Sequence, residues 1–538
     1  MTVGLSQDLR GPDATIDAGH HDVVIVGAGI SGIGAARQLR VTRPGERFIV
    51  LESQAGFGGT WRTHRYPGAR SDSDLHTFGY AFKPWVGKPY ATAPEILDYL
   101  AAVIDEYDLG RTIRYGCRVV AAGWSSDTRR WTLDVERVTG SGPPDDPTGA
   151  TGPGATAPGA TAPGATDRTV AMAPATERLR LTANFLWMCQ GYYRHASGYA
   201  PQWPGMADFG GPIIHPQTWP EDLQTAGKRI AVIGSGATAA TLVPALASLA
   251  EHVTIVQRSP TFYFPNRNAN ALADMLRELQ IDETWIHEIV RRKILFDQAV
   301  FIRRARAEPD VVRAELIEGV RAQLGPDAEI EPHFSPRYRP WRQRIAVVPD
   351  GDLFRAICSG KASMVTDEIE RFEPRALRLT SGRTLPADIV ITATGFHLSV
   401  LGDIAFEVDG VPLDFGRTIT WRGMLFTGVP NLAWVFGYFR ASWTLRSDLV
   451  AAIVCRLRQR MAELGASMVV PTLRPDEVAM PLAPWVDPEN FNPGYLMRDL
   501  HRLPRQGDRQ PWLHTQDYWA DKDELPAASI DDGSLRFS

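Results

Sequence analysis

At 538 residues the chain is longer than one hydrophobic core can organise, so two or three domains are expected. Its 44% hydrophobic and 22% charged residues are those of an ordinary globular protein, and a net charge of -5 without a long basic run argues against a nucleic-acid partner. The N-terminal stretch lacks the apolar core of a signal peptide, no apolar run reaches the length of a transmembrane span, and Cys117, Cys189, Cys358 and Cys455 lie far apart, which together predict a cytoplasmic protein in reducing surroundings. The same cysteines offer no CxxC pair, which excludes a disulfide reductase, and the 12 histidines show no ligand spacing, so no metal site is expected.

The first predicted element is DVVIV at residues 22–26, a continuous apolar run suited to a central parallel strand. GAGISG follows, with Gly27, Gly29 and Gly32 in GxGxxG spacing around Ser31, and then IGAARQLR, which predicts a helix. The strand RFIVLE ends on Glu52, 20 residues after Gly32. Glycines permit the tight turn and the close approach of a pyrophosphate, the helix N-terminus stabilises its charge, and an acid at the end of the second strand accepts from a ribose hydroxyl. Strand, glycines, helix, strand and acid in this order point to a dinucleotide.

Residues 58–74, GGTWRTHRYPGARSDSD, are too rich in special residues for a solvent loop and too aperiodic for a helix or strand. Further on, RRWTLDVERV and RLRLTANFLWMC alternate like paired strands around a five-residue Gly/Ala/Thr/Pro repeat within 139–166. The repeat cannot bury apolar surface, so it is expected to be a disordered insertion at a hairpin tip.

The dinucleotide logic recurs at 229–258. RIAVIGSGATAATLVPALA supplies Gly234, Ser235, Gly236, Ala237 and Thr238, with Ala239 in the third glycine slot. The following strand ends on Gln257, Arg258 and Ser259, without an acid. An arginine there pairs with a 2′-phosphate that an acid would repel, so NADPH is expected over NADH. Two dinucleotides in one chain imply hydride transfer from a nicotinamide to a flavin. Residues 270–330 carry Leu, Arg, Glu and Ala at helical spacing, and ASWTLRSDLVAAIVCRLRQRMAEL predicts a long helix with Ser442 placed to cap it.

Two long motifs give the chain a family resemblance. The stretch 58–72 fits GGxWxxxxYPGxxxD through Gly58, Gly59, Trp61, Tyr66, Pro67, Gly68 and Asp72, and FGGPIIHPQTWP fits FxGxxxHxxxWP through Phe209, Gly211, His215, Trp219 and Pro220. The chain resembles the class B flavoprotein monooxygenases, specifically the type I Baeyer–Villiger monooxygenases, and its wider pattern is similar to the ethionamide-activating branch.

That resemblance implies an α/β fold of two nested Rossmann-like dinucleotide-binding domains, for FAD and NADPH, with a helical insertion. Expected boundaries are 1–200 and 393–538 for the two parts of the FAD domain and 201–392 for the NADPH domain, with the insertion at about 268–332 covering the substrate side. It implies a reaction in which NADPH and O2 convert a ketone to an ester or lactone through a flavin peroxide, with sulfides as further substrates. Gly59, Thr60 and Trp61 would lie over the flavin, Arg70, Ser71 and Asp72 would sit where flavin meets nicotinamide, and the backbone of Val119 would meet the adenine. His215 is read as an orienting residue on the linker between the nucleotide domains. Arg344 aligns with the family's active-site arginine, with Asp72 tuning its charge; where many members carry lysine before it, this chain has Gln343. The alternatives are a sulfur or nitrogen oxygenase on the same scaffold, an NADPH oxidase that makes only hydrogen peroxide, and a non-enzymatic flavin-binding protein.

Overall fold

The computed structural model describes residues 15–138 and 176–538; the repeat, and with it the expected disordered insertion, lies outside the described residues. Strand β1 (Ile16–Val26) leads through helix α1 (Ile30–Thr42) to strand β2 (Phe48–Leu51), which pairs with it in parallel, Val23 opposite Phe48 and Val26 opposite Leu51. Val23, Val24 and Ile25 have no exposed surface, as a run apolar on both faces requires. Strands β3 (Cys117–Ser125), β4 (Arg130–Val138) and β5 (Thr176–Met188) pair antiparallel, and Val138 lies opposite Thr176, so the arms flanking the repeat form the predicted hairpin. These strands belong to a nine-stranded sheet ordered Val411–Pro412, Ala405–Val408, β3, β4, β5, β1, β2, Ile113–Arg114, with Leu432–Trp434 beside β5.

The chain leaves this sheet through Tyr193–Gly198 and builds a second one, parallel throughout, from residues that all lie between β5 and Ala405. Strands β6 (Arg229–Ile233), β7 (His252–Gln257) and β8 (Ile389–Thr392) stand in the order Ala362–Thr366, β7, β6, β8, Ile213–Ile214, and helix α2 (Ala237–Ala247) joins β6 to β7. The return passage Phe396–Leu398 pairs antiparallel with the outgoing Tyr193–Gly198. One Rossmann-like unit is thereby nested in the sequence of the other, because parallel strands need long crossovers while two adjacent passages suffice to enter and leave.

Helices α3 (Ala271–Glu278), α4 (Glu283–Ala307) and α5 (Pro309–Leu324) occupy the stretch where helical spacing is seen. Arg291 on α4, buried, docks it to the first unit by donating to the carbonyls of His76, Thr77 and Gly79 at 3.0, 3.2 and 3.0 Å. Among the described residues no helix is long and apolar enough to cross a membrane.

One expectation fails. The long helix α6 (Trp443–Leu464) forms, and Ser442 stands at its N-cap position, but the serine does not cap it: its hydroxyl bonds to Thr77 Oγ1 at 2.8 Å. A buried hydroxyl takes the partner that tertiary packing presents, and here that partner lies across the interface, not in the first turn of the helix.

Candidate active site

Both glycine turns sit at the carboxyl end of a central strand, where open α/β sheets bind ligands. Gly27, at φ +102°, has backbone so close on its Cβ side that a side chain would meet Cys189 O at 2.6 Å, and a Cβ on Gly32 would lie 1.8 Å from Gly27 O. A Cβ on Gly29 would point at the Cα of Gly59, 3.7 Å away, so two motifs of the sequence stand with their bare backbones facing. Helix α1 starts at Gly29 with no side-chain cap and no acid in its first turn, leaving its first N–H groups free for an anion. The second turn repeats this: Gly234 has φ +111° with Ala393 O 2.3 Å from a built Cβ, Gly236 opens onto empty space, and α2 begins with no cap and no acid. Close-packed glycine backbone followed by an open helix N-terminus is what a pyrophosphate requires, so these residues fit dinucleotides at both sites. Gly32→Ala is expected to abolish flavin loading, seen as loss of the yellow chromophore per mole of purified protein.

Glu52 is buried, and its carboxylate accepts the N–H of Ala28 at 2.7 Å and of Gln54 at 2.8 Å, which ties the end of β2 to the glycine turn. Burial pushes its pKa up and the two N–H groups pull it back; Oε1 also accepts from Ser53 Oγ at 3.3 Å, whereas Oε2 keeps a lone pair for a hydroxyl. Ser31 Oγ accepts from Trp443 Nε1 at 2.8 Å, and Trp443 stacks on Tyr192 at 5.2 Å. Thr60 Oγ1 accepts from Tyr193 OH at 2.9 Å, and Trp61 meets Phe78 edge-on at 5.7 Å. Val119 is buried on β3 beside a register shift that leaves Val120 without a cross-strand partner, a bulge of the kind that frees backbone groups for other contacts. In the second unit Ser235 is buried with Oγ 3.1 Å from Thr261 Oγ1, and Ala239 is fully buried. Gln257 is locked by donation to His333 O and Thr366 Oγ1 at 2.7 and 2.9 Å, whereas Arg258 and Ser259 beyond it are exposed.

The stretch 58–74 is the seam between the units. Tyr66 OH lies 3.4 Å from Thr241 Oγ1 on α2, and Gly68, at φ +79°, packs so tightly on that helix that a Cβ would meet Thr241 O at 2.6 Å. Two ion pairs then cross the seam with opposite polarity. Asp72 Oδ2 accepts from Arg344 Nη2 at 2.7 Å, and Arg70 Nη1 donates to Asp352 Oδ2 at 2.6 Å. The Asp72 carboxylate raises the pKa of Arg344, fixing it as a cation. Tyr192 and Tyr495, half-buried with their rings 5.8 Å apart, lie within electrostatic reach of that pair. Arg70 Nε and Nη2 are buried without a protein partner. Ser71, by contrast, spends its hydroxyl within its own turn, donating to Ser73 O at 2.8 Å and accepting the Ser73 N–H at 3.0 Å. His215 donates from Nε2 to Gly395 O at 3.0 Å and accepts the Gln217 N–H on Nδ1 at 3.2 Å, so one neutral tautomer ties the outgoing linker to the returning one. Burial lowers its pKa.

Sequence reasoning missed Asp352, Tyr192, Tyr495 and Trp443, which no motif singles out. Asp352→Asn is expected to slow flavin reduction by NADPH about tenfold, the value of a charge-assisted contact; anaerobic stopped-flow absorbance measures it, and an unchanged rate would restrict the pair to a packing role.

Residues 25–100 match the model of the NAD(P)-binding Rossmann-like domain and residues 195–299 that of the pyridine nucleotide-disulphide oxidoreductases. All four cysteines are free, so the second match concerns the nucleotide fold. Over 521 residues the chain is 41% identical to the FAD-containing monooxygenase EthA of Mycobacterium tuberculosis strain H37Rv, covering 96% of this chain and 98% of that one. It is 38% identical over 520 residues to the probable FAD-binding monooxygenase AlmA of Acinetobacter baylyi, covering 96% of each. Among solved structures it resembles cyclohexanone monooxygenase bound to epsilon-caprolactone, with a TM-score of 0.67 and 20% identity over 97% of this chain and 100% of that one. OTEMO in complex with FAD and NADP gives a TM-score of 0.70 and 17% identity over 96% and 99%.

Proposed function

The chain belongs to the class B flavoprotein monooxygenases of the Baeyer–Villiger type, an FAD-containing, NADPH-dependent group, and from that premise we propose that it oxygenates ketones to esters or lactones and also oxidises sulfides. The observation that carries this reading is the Arg344–Asp72 pair, 2.7 Å long, on the seam between the two glycine turns.

In this reading Gly27, Gly29, Ser31 and Gly32 with the N-terminus of α1 hold the FAD pyrophosphate, Glu52 takes a ribose hydroxyl, and the Val119 backbone meets the adenine. Gly59, Thr60 and Trp61 line the flavin. Gly234, Ser235, Gly236, Ala237, Thr238 and Ala239 hold the NADPH pyrophosphate, with Arg258 and Ser259 on its 2′-phosphate. Arg70 presents its two unpartnered donors where the nucleotides meet, and Ser71 and Asp72 shape the turn around it. When bound, the two nucleotides supply hydride transfer and activation of dioxygen.

The chain's own part is positioning and charge. Arg344 places a fixed cation where negative charge develops on the substrate carbonyl oxygen, and a preorganised cation there lowers the barrier without reorganising in the reaction. Asp72 holds the guanidinium in orientation. Tyr192 packs on Trp443 and Tyr495 at 5.2 and 5.8 Å, and in this reading the three rings with a bound flavin would shield the pair from water, which would strengthen its charge interactions. The domain boundaries expected from the sequence belong to the same proposal: residues 201–392 carry NADPH and the flanking parts carry FAD.

The test is product analysis with purified FAD-loaded protein, NADPH, O2 and paired substrates, a cyclic ketone and an aryl sulfide. Ester or lactone in stoichiometry with NADPH supports the reading. Sulfoxide without ester would make the chain a heteroatom oxygenase, and hydrogen peroxide alone an oxidase.

A further inference from the structure

A second cationic feature, on the segment that leads into Arg344, is left unused by the proposed reaction. Arg440, 8% exposed, donates from Nη2 to Asn490 O at 2.7 Å, to Asn490 Oδ1 at 3.0 Å and to Trp341 O at 3.3 Å. Arg339 reaches the same residue, its Nη2 lying 3.1 Å from Asn490 Oδ1 and 3.4 Å from Asn490 O. Two guanidinium groups therefore converge on one neutral amide. Among the described residues neither has a carboxylate within 4.0 Å, and neither does Arg306 at the end of α4. Asp517 and Asp487 act on Arg440 electrostatically from beyond 4.0 Å, and Glu489 is drawn to Arg342 at 3.6 Å and is 88% exposed. Burial first, then the charges of Arg306 and Arg339, pull the Arg440 pKa down to about 10. A half-buried cluster of like charges without a counter-ion is costly to keep unless an anion completes it.

The cluster's position says whose anion it is. Trp341 precedes Arg344 by three residues, and Asn490 precedes Tyr495 by five. Three residues of extended chain span at most about 10 Å. Asn492 N–H donates to Arg342 O at 2.9 Å, so the two segments run together toward the reacting centre. The 2′-phosphate, in contrast, is assigned to Arg258 and Ser259 beyond β7.

Resting on the reading that the chain oxygenates ketones, we propose that Arg339 and Arg440, with Arg306 at the rim, form a carboxylate seat, and that the preferred substrates are oxo acids whose carboxylate sits at the far end of a short aliphatic chain from the ketone. The guanidinium forks would grip the carboxylate in two-pronged fashion while the ketone reaches Arg344.

The experiment compares kcat/KM for an oxo acid, its methyl ester and the neutral ketone of equal length. It also measures binding of the acid and the ester to the oxidised FAD-loaded protein by the change in flavin absorbance. The acid is expected to exceed the ester at least about tenfold in both measurements, as a charge-assisted contact does, and rising salt should narrow the gap. In Arg339→Gln, Arg440→Gln and Arg306→Gln the acid-to-ester ratio should collapse toward one; the ratio cancels any loss common to both substrates, and the exposed Arg306 keeps the test open should the buried Arg440 variant not fold. Equal handling of acid and ester by the unaltered protein overturns the proposal, as does a preference that survives in the variants. A rise in the KM for NADPH with the neutral ketone, matching the loss with the acid, would assign the cluster to the 2′-phosphate and overturn it as well. If no ketone is converted while the acid still binds more tightly than the ester, the ketone reading fails and the seat stands.

Discussion

Replacing Arg344 by alanine is expected to leave FAD bound and NADPH consumed, while ester formation falls ~10²–10³-fold and hydrogen peroxide is released in its place. The reason lies in how the site is divided. The glycine turns and open helix ends that fit the nucleotides involve neither Arg344 nor its partner, so loading and hydride transfer do not need the guanidinium. The variant loses the one cation held at 2.7 Å by Asp72 on the seam, and with it the charge opposite the developing oxyanion. Lysine should rescue little, because a guanidinium bonded to Asp72 through Nη2 alone keeps its other donors in a fixed plane for the substrate, and a flexible ammonium gives up that geometry. Chromatography of the ester together with a peroxide assay on the same reaction measures the split. An alanine variant with undiminished ester formation would take the central residue out of the Baeyer–Villiger reading and leave the heteroatom oxygenase as the better account.

Arg258→Ala is expected to lower kcat/KM for NADPH about ten- to a hundredfold, with little effect on NADH, since a charged hydrogen bond is worth roughly 1.5–3 kcal/mol. Arg258 is exposed and makes no hydrogen bond or ion pair among the described residues, so alanine breaks no contact of the protein itself. Only the 2′-phosphate separates the two cofactors, and only a group facing it can change their ratio. The wild-type preference should also weaken as salt rises, because an exposed pair is screened. Steady-state kinetics with both cofactors at two ionic strengths decide it; equal losses for NADPH and NADH would remove the assignment.

Local chemistry was legible without coordinates. The strands at 22–26 and 229–233, the glycine turns after them and the hairpin around the repeat follow from apolar periodicity and from backbone angles that only glycine accepts comfortably, and both depend on neighbours a few residues away. The family motifs likewise pointed to Asp72, and the wider resemblance to Arg344 and Arg70, as individuals, and the 41% identity to a flavin monooxygenase places the chain in the family that those motifs indicate.

What the sequence left open is which residues meet. Arg344 finds Asp72 across 272 residues of chain, Arg70 finds Asp352 across 282, and Trp443 finds Ser31 across 412. No periodicity encodes such pairs. They exist because the second sheet is inserted between β5 and Ala405 and then set against the stretch 58–74, with Gly68 flush on α2. Ser442 shows the same dependence in reverse: its local context favours a cap, yet Thr77 from a distant segment takes its hydroxyl. The convergence of Arg339 and Arg440 on Asn490 likewise arises only when three remote segments are packed together. A turn or a strand is selected by short-range sterics, which the residue types carry with them, whereas an ion pair between units depends on the relative placement of two cores, which is fixed only once both have formed and docked.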